Sequence, residues 1–260
     1  MGQGDGEWNQ VTRKRGRKPA IEQQQPKGEL EGLLGGIRPN PNPELTVAEI
    51  RKYHESVDQE WRLSGCWETL QKALLTGCAT PDDGPLITSA ICLGPGPFDP
   101  ANGSLLVRRT AHMQTAAFTS IVANLESQSR RSIKRMVQEP GFTQVDKQFC
   151  NELGFEVVDT PAAFTMVDST TMVFGIHMEL QTYADSLTVL PGIFIGSGLD
   201  EWENLMNVNP EPPGLRPMRE MDANYNKFSF PDLNYMFYGT TVYWRQRSKE
   251  LEATDLPSNQ

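Results

Sequence analysis

The chain has 260 residues, a formal net charge of -9 at pH 7 and a mean hydropathy of -0.48. Its longest apolar stretch, near Val189 to Ile195, is interrupted by Pro191 and Gly192. That is far below the roughly 18 apolar residues that a membrane span requires. The first residues also lack an apolar targeting segment. We therefore expect a protein that does not enter the membrane and resides in the cytoplasm or the nucleus.

The cysteines and histidines are too dispersed to predict a metal site. The four cysteines form no Cys-x-x-Cys pair, and His54, His112 and His177 are isolated from one another. A structural zinc site requires ligands at short, regular spacing. We expect free, buried thiols and no bound metal.

Residues 1–44 are predicted to form a disordered basic arm, because they contain little that could build an apolar face. Arg13 to Lys18 hold five positive charges in six residues. This run is typical of a nuclear import signal or a weak polyphosphate anchor, and equally of a solvated tail. Residues 1–29 carry a net charge of +2, whereas the remainder carries -11. The acidic remainder argues against nucleic-acid binding by the folded domain.

Two helices are predicted to open the folded domain. Thr46 and Glu49 form a capping box, in which the hydroxyl and the carboxylate each accept from an orphan amide. Apolar residues then recur at intervals of three and four, which predicts a helix ending near Leu63. A second helix is expected from Cys66 to Leu75, and a turn-rich segment ends it.

The middle of the chain alternates between apolar runs and amphipathic stretches. Predicted strands are Leu86–Leu93, Ile133–Val137, Phe155–Val158, Met172–Ile176 and Ile193–Ile195. Predicted helices are Leu105–Leu125, Thr143–Leu153 and Glu179–Leu187. Strands separated by helices require crossover connections. The fold class expected is α/β: a Rossmann-like, mostly parallel sheet with helices on both faces, preceded by the two N-terminal helices.

The last part of the domain is predicted from its prolines and aromatic residues. Asn209 to Pro217 contains four prolines and is expected to be a loop. Phe228 to Trp244 is rich in aromatic residues and is expected to be a final strand or hairpin. Residues 45–245 thus form the predicted domain, and residues 246–260 a disordered polar tail.

Several short motifs occur in an order that resembles a known family. They are Ile91–Gly96, then Gln114 with Ala116-Ala117, Gln138–Thr143, Leu153-Gly154 with Val157-Val158, Thr171–His177, and Phe237–Trp244. Together they cover about residues 46–245 and resemble the sensitivity-to-red-light-reduced (SRR-like) domain family. The resemblance implies a Rossmann-like body and a regulatory role. Members are associated with circadian and light signalling in plants, and with heme homeostasis and cytoskeletal phenotypes elsewhere, and no settled reaction is implied.

This chain departs from the family pattern in places. Pro95 and Pro97 flank Gly96, Glu139 replaces an aspartate, and Ile176 stands where proline would precede His177. If the family turn binds an anion through backbone amides, these prolines remove donors.

The first candidate site residues follow the first strand. Gly94 and Gly96 form a turn that could admit a phosphate to the backbone, or simply a tight turn without a ligand. Arg108, Arg109 and His112 lie near the start of the next helix, where cations oppose the helix dipole unless something negative is near. They are either ligand contacts for an anionic group or members of a solvated face.

Other candidates lie at later strand ends. His177 follows the fourth predicted strand, Glu139 the second and Ser197 the fifth, and open α/β sheets bind ligands at this edge. A Ser197, His177 and Glu139 triad is arithmetically possible. Gly196-Ser197-Gly198 lacks the Gly-x-Ser-x-Gly elbow, however, which argues against it. A structural role for a single histidine at a strand end remains the alternative.

Two functions are compatible with these residues. The first is a regulatory protein that binds a small anionic ligand or a protein partner. The alternative is a small-molecule enzyme that uses the same crevice with a nucleotide or methyl-donor cofactor. Convergence of His177, Glu139 and Arg109 in one crevice would favour the enzyme, and a crevice without such convergence would favour the regulator.

Overall fold

The computed structural model describes residues 38–77, 84–205 and 215–246, with no side-chain detail at 204 and 205. Its helices are α1 (Val47–Arg62), α2 (Gly65–Thr76), α3 (Leu105–Ser129), α4 (Gln144–Glu152), α5 (Leu180–Ser186), α6 (Leu199–Leu205) and α7 (Leu215–Asn224). Its strands are β1 (Ser89–Leu93), β2 (Lys134–Gln138), β3 (Glu156–Val157), β4 (Thr171–Gly175), β5 (Ile193–Ser197), β6 (Asn226–Ser229) and β7 (Thr240–Trp244). A 3₁₀ helix (Ala162–Met166) precedes β4. The predicted arm, apart from residues 38–44, and the predicted tail, apart from residue 246, lie outside the described residues.

The seven strands form one sheet in the order β3-β2-β1-β4-β5-β7-β6. Strands β1 to β5 are parallel to one another, whereas β7 runs antiparallel to β5, and β6 antiparallel to β7. The order 3-2-1-4-5 is that of doubly wound sheets, in which the chain reverses direction across the sheet between β1 and β4. The predicted Rossmann-like α/β fold is confirmed.

Helices cover both faces of this sheet. Alternate residues of β1 belong to different cores: Ala90 and Cys92 pack with α1 to α4, and Ile91 and Leu93 pack with α5 to α7. A strand buried on both sides must be apolar at every position, because successive side chains point to opposite faces. This explains why β1 is apolar from Ala90 to Leu93, the part of the strand that is buried.

The two N-terminal helices form as predicted. Thr46 and Glu49 make the expected capping box at the start of α1, and Ser64 caps α2 by accepting from the Trp67 amide. α1 lies antiparallel to α3, since Glu60 near its end contacts Arg109 and His54 near its middle contacts His112. The end of α1 and the start of α3 are therefore at the same edge of the sheet.

One part of the C-terminal prediction is wrong. Pro217 lies inside α7, where a loop was expected, because proline is tolerated in the first turn of a helix, whose amides have no partner there. Leu215, Met218 and Met221 form the buried face of α7. The hairpin expected from residue 228 to 244 is confirmed by β6 and β7.

Candidate functional site

The carboxyl ends of the parallel strands bring four predicted site residues to one edge of the sheet. Leu93 at the end of β1 pairs with Gln138 at the end of β2, and Gly175 of β4 pairs with Gly196 of β5. Gly94, Glu139, His177 and Ser197 follow or end these strands. We call this side of the sheet the carboxyl edge. All four residues lie there.

The glycine turn after β1 is occupied by a carboxylate of the protein itself. Gly96 has a left-handed φ of 91°, and its amide donates to Glu139 Oε2 at 3.0 Å. The Gly141 amide donates to Glu139 Oε1 at 2.7 Å. Burial raises the pKa of Glu139. The hydrogen bonds from the two amides lower it, but burial has the larger effect. The backbone donor that an anionic ligand would use therefore already has an acceptor.

Gly94 is covered by a side chain from the neighbouring strand's loop. The Gly94 amide donates to the Gln138 carbonyl oxygen at 2.9 Å, and its φ of 59° is left-handed. A Cβ built at Gly94 would lie 2.6 Å from the Sδ and Cε atoms of Met178. Met178 therefore takes the space directly over the turn, at the point where β1 and β4 adjoin.

His177 is exposed and is held by the loop before β7. Its Nε2 lies 2.8 Å from the Tyr238 carbonyl oxygen, so Nε2 is the donor. Its φ of 53° is left-handed, which is uncommon outside glycine and is maintained by the surrounding structure. His177 thus connects the carboxyl end of β4 to the 230–239 loop.

Ser197 is bound to a buried tyrosine. The Tyr183 hydroxyl donates to the Gly175 carbonyl oxygen at 2.6 Å and accepts from the Ser197 amide at 3.1 Å. Ser197 Oγ lies 3.3 Å from the same hydroxyl, and burial raises the pKa of Tyr183. Among the described residues, no hydrogen bond joins Ser197 to His177 or either of them to Glu139. This arrangement does not resemble a catalytic triad.

The two arginines of α3 are paired with acids. Arg108 Nη2 lies 3.6 Å from Asp99, and Arg109 Nη2 lies 2.5 Å from Glu60 on α1. Asp99 is buried and also accepts from the Glu44 amide at 2.8 Å, which attaches the incoming chain to the loop after β1. Both arginines therefore serve contacts within the fold, on the side of α1.

His112 is fully buried between α1 and α3. Its Nδ1 lies 3.3 Å from His54 Nδ1, and its ring packs 4.7 Å from that of Phe98. Burial lowers the pKa of His112 to about 3, with a smaller contribution from His54, and burial lowers the pKa of His54 to about 4. Both rings are neutral near pH 7. The structure thus separates His112, inside the core, from His177 at the surface.

The carboxyl edge also carries a set of exposed apolar side chains that the sequence analysis missed. The five most exposed large hydrophobic residues of the described ranges are Leu63 (78%), Leu105 (71%), Leu106 (69%), Tyr235 (82%) and Tyr238 (58%). We call them the edge patch. The available signal was the run Leu105-Leu106-Val107 placed directly after the Ser104 cap, where a helix usually presents polar residues.

Contacts within the fold place the segments that carry these five side chains at one corner. Leu63 follows the end of α1, and Leu105 and Leu106 open α3, at the same end of that antiparallel pair. The 230–239 loop packs on this end of α1 and the start of α2. Its Phe237 ring is 5.5 Å from Trp61, and Cys66 Sγ is 2.9 Å from the Asp232 carbonyl oxygen. The loop carries both tyrosines.

A shallow polar concavity of about 370 Å³ lies at the opposite, amino edge of the sheet. Its charges neutralise each other: Arg135 is 2.6 Å from Glu126, and Lys134 is 2.7 Å from Glu156. Such paired charges give no preference for a ligand of either sign. Within the described ranges, no group of three or more His, Cys, Asp or Glu side chains is arranged to hold a metal ion.

In the part of the chain that the structure describes, no helix has both the length and the apolar character needed to cross a membrane.

The fold and this edge define a Rossmann-like α/β protein whose strand-end crevice is filled by its own side chains. The SRR1 domain family matches residues 66–244, which is more than half of the chain. The chain belongs to the SRR1 domain family, and the resemblance seen in its motifs is confirmed.

Comparison with solved structures gives distant similarities. A protein from Klebsiella pneumoniae described as a candidate O-methyltransferase is 12% identical, with 85% of this chain and 96% of that chain covered and a TM-score of 0.40. Protein 1320 of Thermoplasma acidophilum is 11% identical, with 62% of this chain and 76% of that chain covered and a TM-score of 0.30. A comparison with curated protein sequences gives no match. Scores this low carry no argument about function.

Proposed function

We propose that this SRR1-domain protein is a regulatory protein that acts by binding a protein partner over the carboxyl edge of its sheet. The observation that carries the proposal is the edge patch: the five most exposed large hydrophobic side chains of the described residues belong to segments that meet at one corner of the fold. Apolar residues scattered singly over a surface need no explanation, whereas a contiguous exposed group is typical of an interaction site. The family resemblance supports the regulatory role, in signalling or heme-linked regulation.

The energetics favour a partner over continued exposure. Complete burial of one large apolar side chain contributes about 1.5–3 kcal/mol. Several such side chains offset part of the about 4–15 kcal/mol that association costs in lost freedom. Leucine and tyrosine side chains attached to a fixed helix end and a packed loop also lose less freedom on binding than side chains of a mobile segment.

The state of the crevice supports binding in preference to catalysis. The Glu139 carboxylate accepts the hydrogen bond of the Gly96 amide, and the Met178 side chain covers Gly94. His177 and Arg109, which would have to converge on a substrate, contact the Tyr238 carbonyl and Glu60 instead. A ligand at this position has to displace contacts that the protein already makes.

A comparison of two exposed-residue variants tests the proposal. The variant Leu105→Ser, Leu106→Ser, Tyr235→Ser removes apolar area from the edge patch. The control Val189→Ser removes a half-exposed apolar side chain before β5, at the amino edge. After cross-linking in cells and mass spectrometry, a specific protein should be recovered with wild type and control and lost with the triple variant. Recovery of the same proteins with all three would contradict the proposal.

One observation favours the alternative enzyme. The strand order puts the crevice between β1 and β4. Glu139 directly follows β2, where doubly wound nucleotide-binding sheets carry an acidic residue for the ribose. Calorimetric titration with adenine nucleotides and S-adenosylmethionine tests it. We expect no saturable binding to wild type, and tight binding of either class would favour the enzyme. Met178→Ala, which uncovers Gly94, should reveal any site that Met178 blocks.

We further propose that the basic run acts as a nuclear import signal, so that the protein divides between cytoplasm and nucleus. Arg13, Lys14, Arg15, Arg17 and Lys18 lie outside the described residues. Their replacement by glutamine in a fluorescent fusion should reduce nuclear accumulation. An unchanged distribution would reduce the run to a solvated segment.

A further inference from the structure

We propose that the partner bound at the edge patch is a positively charged segment with apolar anchors, such as an amphipathic basic helix. This inference rests on the proposed function and specifies the chemistry of the partner. It comes from the charges around the edge patch, where acidic side chains lack ion-pair partners and the arginines have them. The net charge of the chain does not show this local difference.

Four acidic side chains at the carboxyl edge have no basic partner among the described residues. Glu179 and Asp200 are exposed and follow β4 and β5. The Glu201 side chain lies against Gly239, next to Tyr238 of the patch, and the exposed Asp232 lies in the loop that carries both tyrosines. Among the described residues, none of these four carboxylates makes an ion pair. Asp232 also accepts from the Tyr235 and Phe237 amides of its own loop. Glu179 and Asp200 are therefore the carboxylates most available to a partner, and all four add negative charge to this edge.

The arginines near the patch are all engaged. Arg109 is paired with Glu60 and Arg108 with Asp99, as described above. Arg62, at the end of α1, is paired with Asp58 at 2.7 Å. Arg109 and Arg62 are hydrogen-bonded to their carboxylates, and Arg108 lies 3.6 Å from Asp99, so each positive charge is largely offset by an adjacent negative one. The charge that the edge patch presents is consequently negative.

An apolar centre with a rim of one sign of charge determines what can dock there. The rim steers a partner of opposite charge and repels one of like charge, and the apolar centre supplies the affinity. A second copy of this chain would bring the same four carboxylates to the interface, and a nucleic acid would bring phosphates. A segment with lysine or arginine around leucine or phenylalanine fits both features.

Two peptides with the same apolar positions test the inference on the full chain. One carries lysine at every polar position of an amphipathic helix and the other carries glutamate. Fluorescence anisotropy should give the lysine peptide at least about tenfold tighter binding, a difference of about 1.4 kcal/mol. Its affinity should fall as salt is raised, since salt screens exposed charges.

Matched variants locate the binding on the protein. Glu179→Gln with Asp200→Asn should weaken the lysine peptide several-fold. Asp185→Asn with Glu220→Gln removes the same two charges near the amino edge and should leave binding unchanged. Leu105→Ser with Leu106→Ser should abolish it. All six positions are on the surface, so folding can be verified by circular dichroism.

Equal binding of the two peptides, equal loss in the two charge variants, or no binding of either peptide would overturn the basic partner. Sedimentation showing that the edge patch instead joins two copies of the chain would also overturn it. These results are independent of the cellular cross-linking comparison. That comparison tests the proposed function separately.

Discussion

At the scale of single residues, Glu139 and His112 have structural roles that cannot be inferred from their residue types. Glu139 accepts from two backbone amides of two different turns, so it closes the glycine turn onto the end of β2. His112 shares a buried site with His54 and three aromatic rings, those of Tyr53, Phe98 and Phe149. Both residue types are also the usual components of active sites, and only their partners separate the two roles.

We expect Glu139→Ala to destabilise the fold by about 2–5 kcal/mol. The change leaves the Gly96 and Gly141 amides without an acceptor, and each buried unsatisfied group costs about 1–3 kcal/mol. Chemical denaturation measures the loss. Glu156→Ala is the control, because this exposed carboxylate is paired only with exposed Lys134 and its loss should stay within about 1 kcal/mol. Similar losses in the two variants would mean that Glu139 does not hold the turn.

The histidine pair should make stability depend on pH. The pKa values of His54 and His112 are lowered to about 4 and about 3, below the 6.5 of an unfolded histidine. The unfolded chain therefore gains two protons below pH about 6.5 that the folded chain does not take up until pH about 4. The free energy of unfolding should therefore fall as the pH is lowered from about 6.5 to about 4, by up to about 2.7 kcal/mol per pH unit.

Denaturation curves at several pH values measure this slope, and NMR follows the two rings directly. Either His54→Phe or His112→Phe should reduce the slope by about half, since each removes one of the two titrating groups. Ring resonances that titrate near pH 6.5 in the folded protein would contradict the buried, neutral pair.

At the scale of elements, the two capping boxes show how burial changes the weight of one local motif. Thr46 caps α1 in an exposed setting, whereas Thr143 and Asp146 cap α4 in a buried one. Both boxes are readable from the sequence as threonine followed by an acid three residues later. Only the second lies under the carboxyl edge.

We expect Thr143→Ala to destabilise the fold more than Thr46→Ala. Loss of an N-cap costs about 1 kcal/mol in an exposed helix. Each change also removes a hydroxyl donor from the carboxylate of its box, 2.7 Å from Glu49 and 3.0 Å from Asp146. Glu49 is exposed and water can replace that donor, whereas Asp146 is buried and burial already raises its pKa. Thermal and denaturant unfolding of the two variants gives the comparison. A larger effect at Thr46 would contradict the role assigned to burial.

At the scale of the whole molecule, the described residues form one sheet with a hydrophobic core on each face. The buried hydrophobic residues run from Ile50 to Tyr243, and the first helix has its own cap at Thr46. The antiparallel β7 and β6 strands form one end of the sheet, with β6 as the edge strand. Both cores and the seven-stranded sheet between them are therefore built from the described residues.

Deletion of residues 1–40 should leave the unfolding midpoint unchanged within about 2 °C. The deletion retains Glu44, whose amide is held by Asp99, and the whole capping box of α1. A change of 1 kcal/mol shifts the midpoint of a domain of this size by about 2–4 °C, so a smaller shift is a null result. Differential scanning calorimetry measures it. A clear fall in the midpoint would show that the deleted residues stabilise the domain.

The sequence by itself determined the order and type of most elements. The apolar runs, the helical spacing from Thr46 onward and the Gly-x-Gly turn after β1 are local signals, and the structure reproduces them within a few residues. The alternation of strands and helices also fixed a parallel sheet, and with it the edge at which Gly94, Glu139, His177 and Ser197 lie. Pro217 was misread because its tolerated position depends on where α7 begins.

Only the tertiary structure decided what these residues contact. Gly96 and Glu139 are 43 residues apart in the chain, and His54 and His112 are 58 apart, so no local pattern records either pair. The edge patch is likewise assembled from three separate segments, around Leu63, Leu105 and Tyr235. Exposure and pairing are properties of the packed chain, because they depend on which distant side chains fill the space around a residue. The sequence therefore located the edge, and packing determined that its crevice is filled and its corner is exposed.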